Sequence, residues 1–115
     1  MIFICYSKCS TCQKAKTYLD NKGISYEQRD IKEKNPTYDE LKLWSQRNGF
    51  PVKKFFNTSG LLYKELGLKN KLTTMSDDEC FRLLATNGML VKRPLLVSED
   101  VVFVGFKPDE WKDIL

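Results

Sequence analysis

Histidine is absent from this 115-residue chain. Its absence removes the usual general base, the commonest metal ligand and any cysteine–histidine couple, so whatever chemistry the chain performs proceeds without an imidazole. Apolar runs are short too: none approaches the roughly 18 residues that a membrane span needs, and no membrane association is expected. No basic segment precedes an apolar stretch in "MIFICYSKCS", so a secretory signal is not expected and the location is taken as cytoplasmic. There is also no block of like charge. The 19 Lys and Arg are interspersed with 15 Asp and Glu, giving a net charge of +4, which argues against direct nucleic-acid binding. No repeat, low-complexity tract or linker interrupts the chain, and one domain spanning 1–115 is expected. Nothing suggests an obligate partner copy, and a monomer is expected.

Four cysteines are present, and two of them form a pattern. In "ICYSKCSTCQKAKTYL", Cys9 and Cys12 stand three apart where an apolar run gives way to helical spacing. A helix start exposes unpaired backbone N–H groups and carries about +0.5 charge. A thiol placed there is acidified from about 8.5 towards 7, raising its thiolate fraction at neutral pH from about 3% to about half. Cys9 is then the attacking thiol and Cys12, one turn further in, the resolving thiol. A structural disulfide across so small a loop would contribute only about 2 kcal/mol and would oppose a reducing compartment. Zinc would need Cys5, Cys9, Cys12 and Cys80 together, and Cys5 sits in a strand at an unsuitable spacing. An inert CxxC remains open at this point. Cys5 and Cys80, each within an apolar pattern, read as small core residues.

The remaining chain supplies an outline. "MIFICY" reads as an interior strand, followed by a helix that "NKG" ends, with Gly23 just past its last turn. "ISYEQRDI" (24–31) reads as a second strand, with Ile24, Tyr26 and Gln28 on one side. Capping boxes at "TYDE" (37–40) and "SDDE" (76–79) begin two helices, which Gly49 and Asn87-Gly88 terminate. "PVKKFFN" and "SGLLYKELGL" read as two short helices between them. "RPLLV" (93–97) and "VVFVG" (101–105) form a hairpin, and "PDEWKDIL" closes the chain as a helix with Pro108 in its first turn. This is an α/β, thioredoxin-like order: a four-stranded mixed sheet, β-α-β then β-β-α, with a helical insertion at about 35–88. In that fold the proline opening the third strand is cis and faces the CxxC. Pro94 is therefore expected cis beside the site, which brings Arg93 close to the sulfurs as an anion ligand.

"YSKCSTCQKAKTYLDNKGI", "KKFFNTSGLLYKELGL", "MLVKRPLLV" and "VGFKPDEW" together resemble the arsenate-reductase-like (ArsC/Spx) family of thioredoxin-fold proteins. The resemblance implies Cys9 as the nucleophile that attacks arsenate and Arg93 as an oxyanion-binding arginine. The family's reductases bring two further arginines; Asn57 and Lys107 stand at those positions here. Cys12, absent from glutathione-dependent members, implies resolution of the Cys9 adduct within the chain. No bound cofactor or metal is implied; the reductant would be external, glutathione with glutaredoxin or else thioredoxin. The family also contains Spx-type redox-sensing regulators that bind the RNA polymerase α subunit, which is the alternative function. The primary expectation is a thiol–disulfide oxidoreductase reducing arsenate to arsenite.

Overall fold

The strand Ile2–Cys5 (β1) occupies the interior of a four-stranded mixed sheet of order β2-β1-β3-β4. The computed structural model describes residues 1–112. β1 pairs in parallel with Glu27–Asp30 (β2) and antiparallel with Leu95–Val97 (β3), which in turn pairs antiparallel with Val102–Val104 (β4). Side-chain alternation divides the core in two. Phe3, Cys5 and Leu96 face one side, where Ala15 and Leu19 of the helix Ser10–Asn21 (α1) and Trp111 of the helix Pro108–Trp111 (α6) cover them. Ile4, Leu95, Val97, Val102 and Val104 face the other. There they pack on Trp44, Phe55, Leu84 and their neighbours, contributed by the insertion. The result is the thioredoxin-like arrangement expected of the sequence, and the Arg93–Pro94 bond is cis.

Both capping boxes form as read. Thr37 and Glu40 start the helix Tyr38–Asn48 (α2), which ends at Gly49 with φ +67°. Ser76 and Glu79 start the helix Asp77–Leu84 (α5). Between them the structure departs from the expected pair of short helices. "PVKKFFN" makes only a single 3₁₀ turn, Val52–Phe55, because Phe56 leaves it to pair with Val91 in an isolated bridge. "SGLLYKELGL" divides into two short helices, Leu61–Glu65 (α3) and Leu68–Lys71 (α4), at Gly67, whose left-handed φ of +63° interrupts the run. α5 stops at Leu84, before Asn87, and the amide of Asn35 takes up the Ala85 carbonyl at 2.6 Å.

The second strand is shorter than 24–31. At its start, the Ile24 N–H donates to the Leu19 carbonyl and closes α1. At its end, the Asp30 carboxylate accepts from the N–H groups of Lys32 and Glu33 and turns the chain. Ile24 and Tyr26 nevertheless pack on the α1 side, as their spacing indicated. Of the closing helix, residues 113–115 lie outside the described residues. Gly88 marks a close approach: a Cβ there would stand 1.7 Å from the Ile31 carbonyl oxygen. Only glycine lets the end of the insertion lie against the end of β2.

Candidate active site

Cys9 occupies the N-cap of α1, with extended backbone (φ −96°, ψ 119°). Its own N–H donates to the Tyr6 carbonyl at 3.0 Å, and its carbonyl accepts the first helical bond from Gln13. The loop "YSK" is thereby tied to the helix start, leaving the half-buried Cys9 sulfur against the exposed N–H groups. Burial opposes ionisation of this thiol. The Cys12 backbone N–H, the Cys12 thiol and the Arg93 guanidinium outweigh it, and the net effect holds Cys9 below the ordinary thiol value. Cys12 is almost fully buried at 1% exposure, and its thiol is held strongly in the protonated form, by a hydrogen bond to Cys5 first and by burial second. The pair thus divides into an acidified outer sulfur and a strongly protonated inner one.

A pH titration checks this division. Cys5, Cys12 and Cys80 are buried, so iodoacetamide trapping at Cys9 reports its ionisation. The midpoint should fall below the roughly 8.5 of a free thiol. Arg93→Ala should move it upward, since the guanidinium is one of the groups favouring the thiolate.

Arg93 reaches the site from the segment that precedes β3. Its guanidinium carbon lies 5.2 Å from the centre of the Tyr6 ring, a cation–π contact. Its Nε and Nη1 are buried without a partner among the described residues. A permanently charged group so poorly partnered favours any anion brought to its accessible edge.

Asn57 and Lys107 arrive by backbone pairing. The Phe56–Val91 bridge, with Asn57 N–H donating to Leu90 and Lys92 N–H to Phe55, lays the insertion beside the segment leading to Arg93. Across it, the Gly105 N–H donates to the Pro94 carbonyl at 2.8 Å and brings in the segment carrying Lys107. Cys9, Arg93, Asn57 and Lys107 consequently line one open cavity of about 540 Å³. A second cavity of about 370 Å³ adjoins it, sharing Asn57, Gly60, Leu61 and Arg93.

Two features of the site escaped the sequence reading. Lys92 also lines the larger cavity, so three cations and no acid surround it among the described residues. Gly105 makes room for Lys92, since a Cβ there would lie 3.1 Å from the lysine Cε. Cys5 is the second. It is buried as expected, at 4% exposure, but its sulfur accepts from Gln28 and the Cys12 sulfur accepts from the Tyr6 N–H, the amide that follows Cys5, so its surroundings are not apolar alone. Strand alternation could have revealed this, because Cys5 shares the Phe3 face and Cys12 lies on the inner face of the helix packed there. Cys80 belongs to the core on the opposite side of the sheet, which separates the four thiols that a zinc site would need.

With this geometry in place, the chain can be set beside known proteins. The ArsC family model matches residues 5–114. A crystal structure of an ArsC-family-related protein from Bacteroides fragilis is 57% identical with a TM-score of 0.96, covering 99% of this chain and 96% of that one. The arsenate reductase from Vibrio cholerae is 30% identical with a TM-score of 0.84, covering 100% and 98%. YusI of Bacillus subtilis is 47% identical over 98% of this chain and 96% of its own. The regulatory protein MgsR of the same organism is 27% identical, over 96% and 86%.

Proposed function

The chain belongs to the ArsC family, and from that premise we propose that it is a cytoplasmic, monomeric thiol–disulfide oxidoreductase whose substrate is an oxyanion such as arsenate. The observation that carries this reading is the placement of the Cys9 sulfur. It stands at a helix start, beside Arg93 and in front of Cys12, at the wall of a cationic cavity.

The reaction follows from the two sulfurs. The Cys9 thiolate attacks arsenic and one arsenate oxygen departs as water, leaving a Cys9–arsenic(V) adduct. Arg93, Lys92 and Lys107 offset the charge of the remaining oxygens, and Asn57 donates a hydrogen bond to them. Cys12 gives up its proton to solvent and attacks the Cys9 sulfur. The S–As bond breaks with its electron pair going to arsenic, which leaves as arsenite. The product on the protein is a Cys9–Cys12 disulfide. An external dithiol or pair of thiols, thioredoxin or glutathione with glutaredoxin, returns two electrons and two protons. No resident metal or organic cofactor takes part.

Arsenite release with each reductant, measured with NADPH consumption in the coupled system, tests the reading; absence of turnover with both would overturn it for arsenate. Arg93→Lys separates charge from geometry. Losing the planar fork removes about one charged hydrogen bond, 1.5–3 kcal/mol, or roughly tenfold to a hundredfold in kcat/KM. Iodoacetamide should still trap Cys9 in that variant.

A second reading rests on the MgsR relationship. Here the same disulfide would be a signal, and the oxidised chain would dock on the RNA polymerase α subunit without contacting nucleic acid itself. Retention of purified α subunit by the oxidised protein and not by the reduced protein would favour it. Binding that ignored redox state would count against it.

A further inference from the structure

Cys5 ends β1 with its side chain on the face that α1 covers. The Cys12 sulfur accepts a hydrogen bond from the Tyr6 N–H at 3.4 Å, the amide that immediately follows Cys5. The inner sulfur of the CxxC thus lies over the end of the strand, flanked by Cys9 towards the cavity and Cys5 towards the core. Gln28 completes the surroundings. Its Nε2 donates to the Cys5 sulfur at 3.6 Å, and its Oε1 accepts from Lys16 Nζ at 3.2 Å.

A thiol serving only as packing does not need these donors, and the chain holds a comparison in Cys80. That thiol is fully buried in the other core, and burial pushes it above the ordinary value. Cys5 is nearly as buried yet shifts the opposite way, chiefly because the Cys12 thiol donates to it, with Gln28 adding a smaller share. Similar burial goes with opposite directions, and the difference lies in the neighbouring donors; once Cys12 has entered a disulfide its S–H is gone, and Gln28 is the donor that remains at the Cys5 sulfur.

We propose that Cys5 is a third redox thiol of the site, which attacks the Cys12 sulfur of the Cys9–Cys12 disulfide and moves the bond to Cys5–Cys12. This rests on the function proposed above, which supplies the first disulfide. Cys5 loses its proton to solvent and its thiolate, held by Gln28, forms the new S–S bond. The Cys9–Cys12 bond breaks and its electron pair leaves on Cys9. The exchange is redox-neutral and consumes no reagent. Cys9 is a stabilised leaving group, since it retains the helix-start N–H groups and Arg93, and a more acidic leaving thiol speeds the exchange. The oxidation is then stored in two sulfurs with exposures of 4% and 1%, while Cys9 stands free as a thiol to attack a second substrate or a partner's disulfide.

The sequence makes the exchange directly readable. Tryptic cleavage after Lys8 and Lys14 places Cys5 in peptide 1–8 and both Cys9 and Cys12 in peptide 9–14. A Cys9–Cys12 disulfide is a loop inside the second peptide; a Cys5–Cys12 disulfide links the two. The wild-type chain is treated with less than one equivalent of diamide, quenched over time with acid and N-ethylmaleimide under denaturing conditions, digested and mapped by mass spectrometry. The loop is expected first, followed by the linked pair growing as the loop declines, with fragmentation assigning the link to Cys12. Cys5→Ala should abolish the linked pair completely and leave the loop. The wild-type time course stands without that variant. A loop that persists with no linked pair would overturn the proposal while leaving the proposed function intact. Absence of both would overturn both together. A link assigned to Cys9 in place of Cys12 would also overturn it.

Discussion

Cys9→Ser should reduce oxyanion turnover to background, a loss on the order of 10³-fold or more, as expected when a nucleophile is removed. The serine hydroxyl stays protonated at neutral pH, and the N–H groups and guanidinium that stabilise a thiolate act too weakly on an alcohol to compensate. Cys12→Ser should behave differently. Its outer sulfur can still attack, so the variant should release little arsenite in multiple turnover yet retain a trapped adduct or a mixed disulfide with glutathione. Intact-mass measurement distinguishes the two. Cys9→Ser should show no added mass, and Cys12→Ser one addition per chain. Equal turnover in Cys9→Ser and wild type would remove the chemical basis of the enzyme reading.

Gly88→Ala should be the most destabilising of the six possible Gly→Ala changes. The new Cβ would be placed 1.7 Å from the Ile31 carbonyl oxygen, with Asn35 Cβ at 3.1 Å on another side. Neither contact is the free end of a flexible side chain, so backbone must move. Overpacking of this kind costs about 1–3 kcal/mol and occasionally more, and contact with a main-chain carbonyl puts this site at the upper end, about 3 kcal/mol. For a domain of this size that corresponds to a Tm lower by more than about 10 °C. Denaturant unfolding of Gly88→Ala beside Gly49→Ala checks it. Gly49 has open space around it and strain only from its φ of +67°, so its penalty should be the smaller. The displacement would also loosen Asn35, whose amide holds the Ala85 carbonyl.

These residues show what could be read before the fold was seen. The two capping boxes are local in the chain, so Thr37–Glu40 and Ser76–Glu79 were legible from four residues each. The CxxC and Arg93-Pro94 are legible because each sits at an element boundary, and the cavity brings Cys9 and Arg93 together with Asn57 and Lys107. In the sequence Gly88 marks a helix stop, which says nothing of the Ile31 carbonyl 57 residues earlier. Lys92 is one lysine among many and carries no local mark, since its place depends on the Phe56–Val91 bridge and on the space beside Gly105. Cys5 looked like an ordinary small core residue because its partner lies across a strand–helix interface. The short helices of the insertion differ from their sequence pattern for a related reason: Phe56 is drawn into pairing with Val91, and periodicity has no access to that competition.

The start of α1 lacks an oxygen cap; a cysteine fills the position that serine, threonine, aspartate or asparagine would hold better. Those residues stabilise a helix by about 1 kcal/mol relative to poor caps. On the proposed function, the fold gives up some thermal robustness at this one position in exchange for a thiol. A Cys9→Ser chain, whatever it loses in turnover, is therefore expected to melt slightly above the wild type, because the serine oxygen can cap the helix.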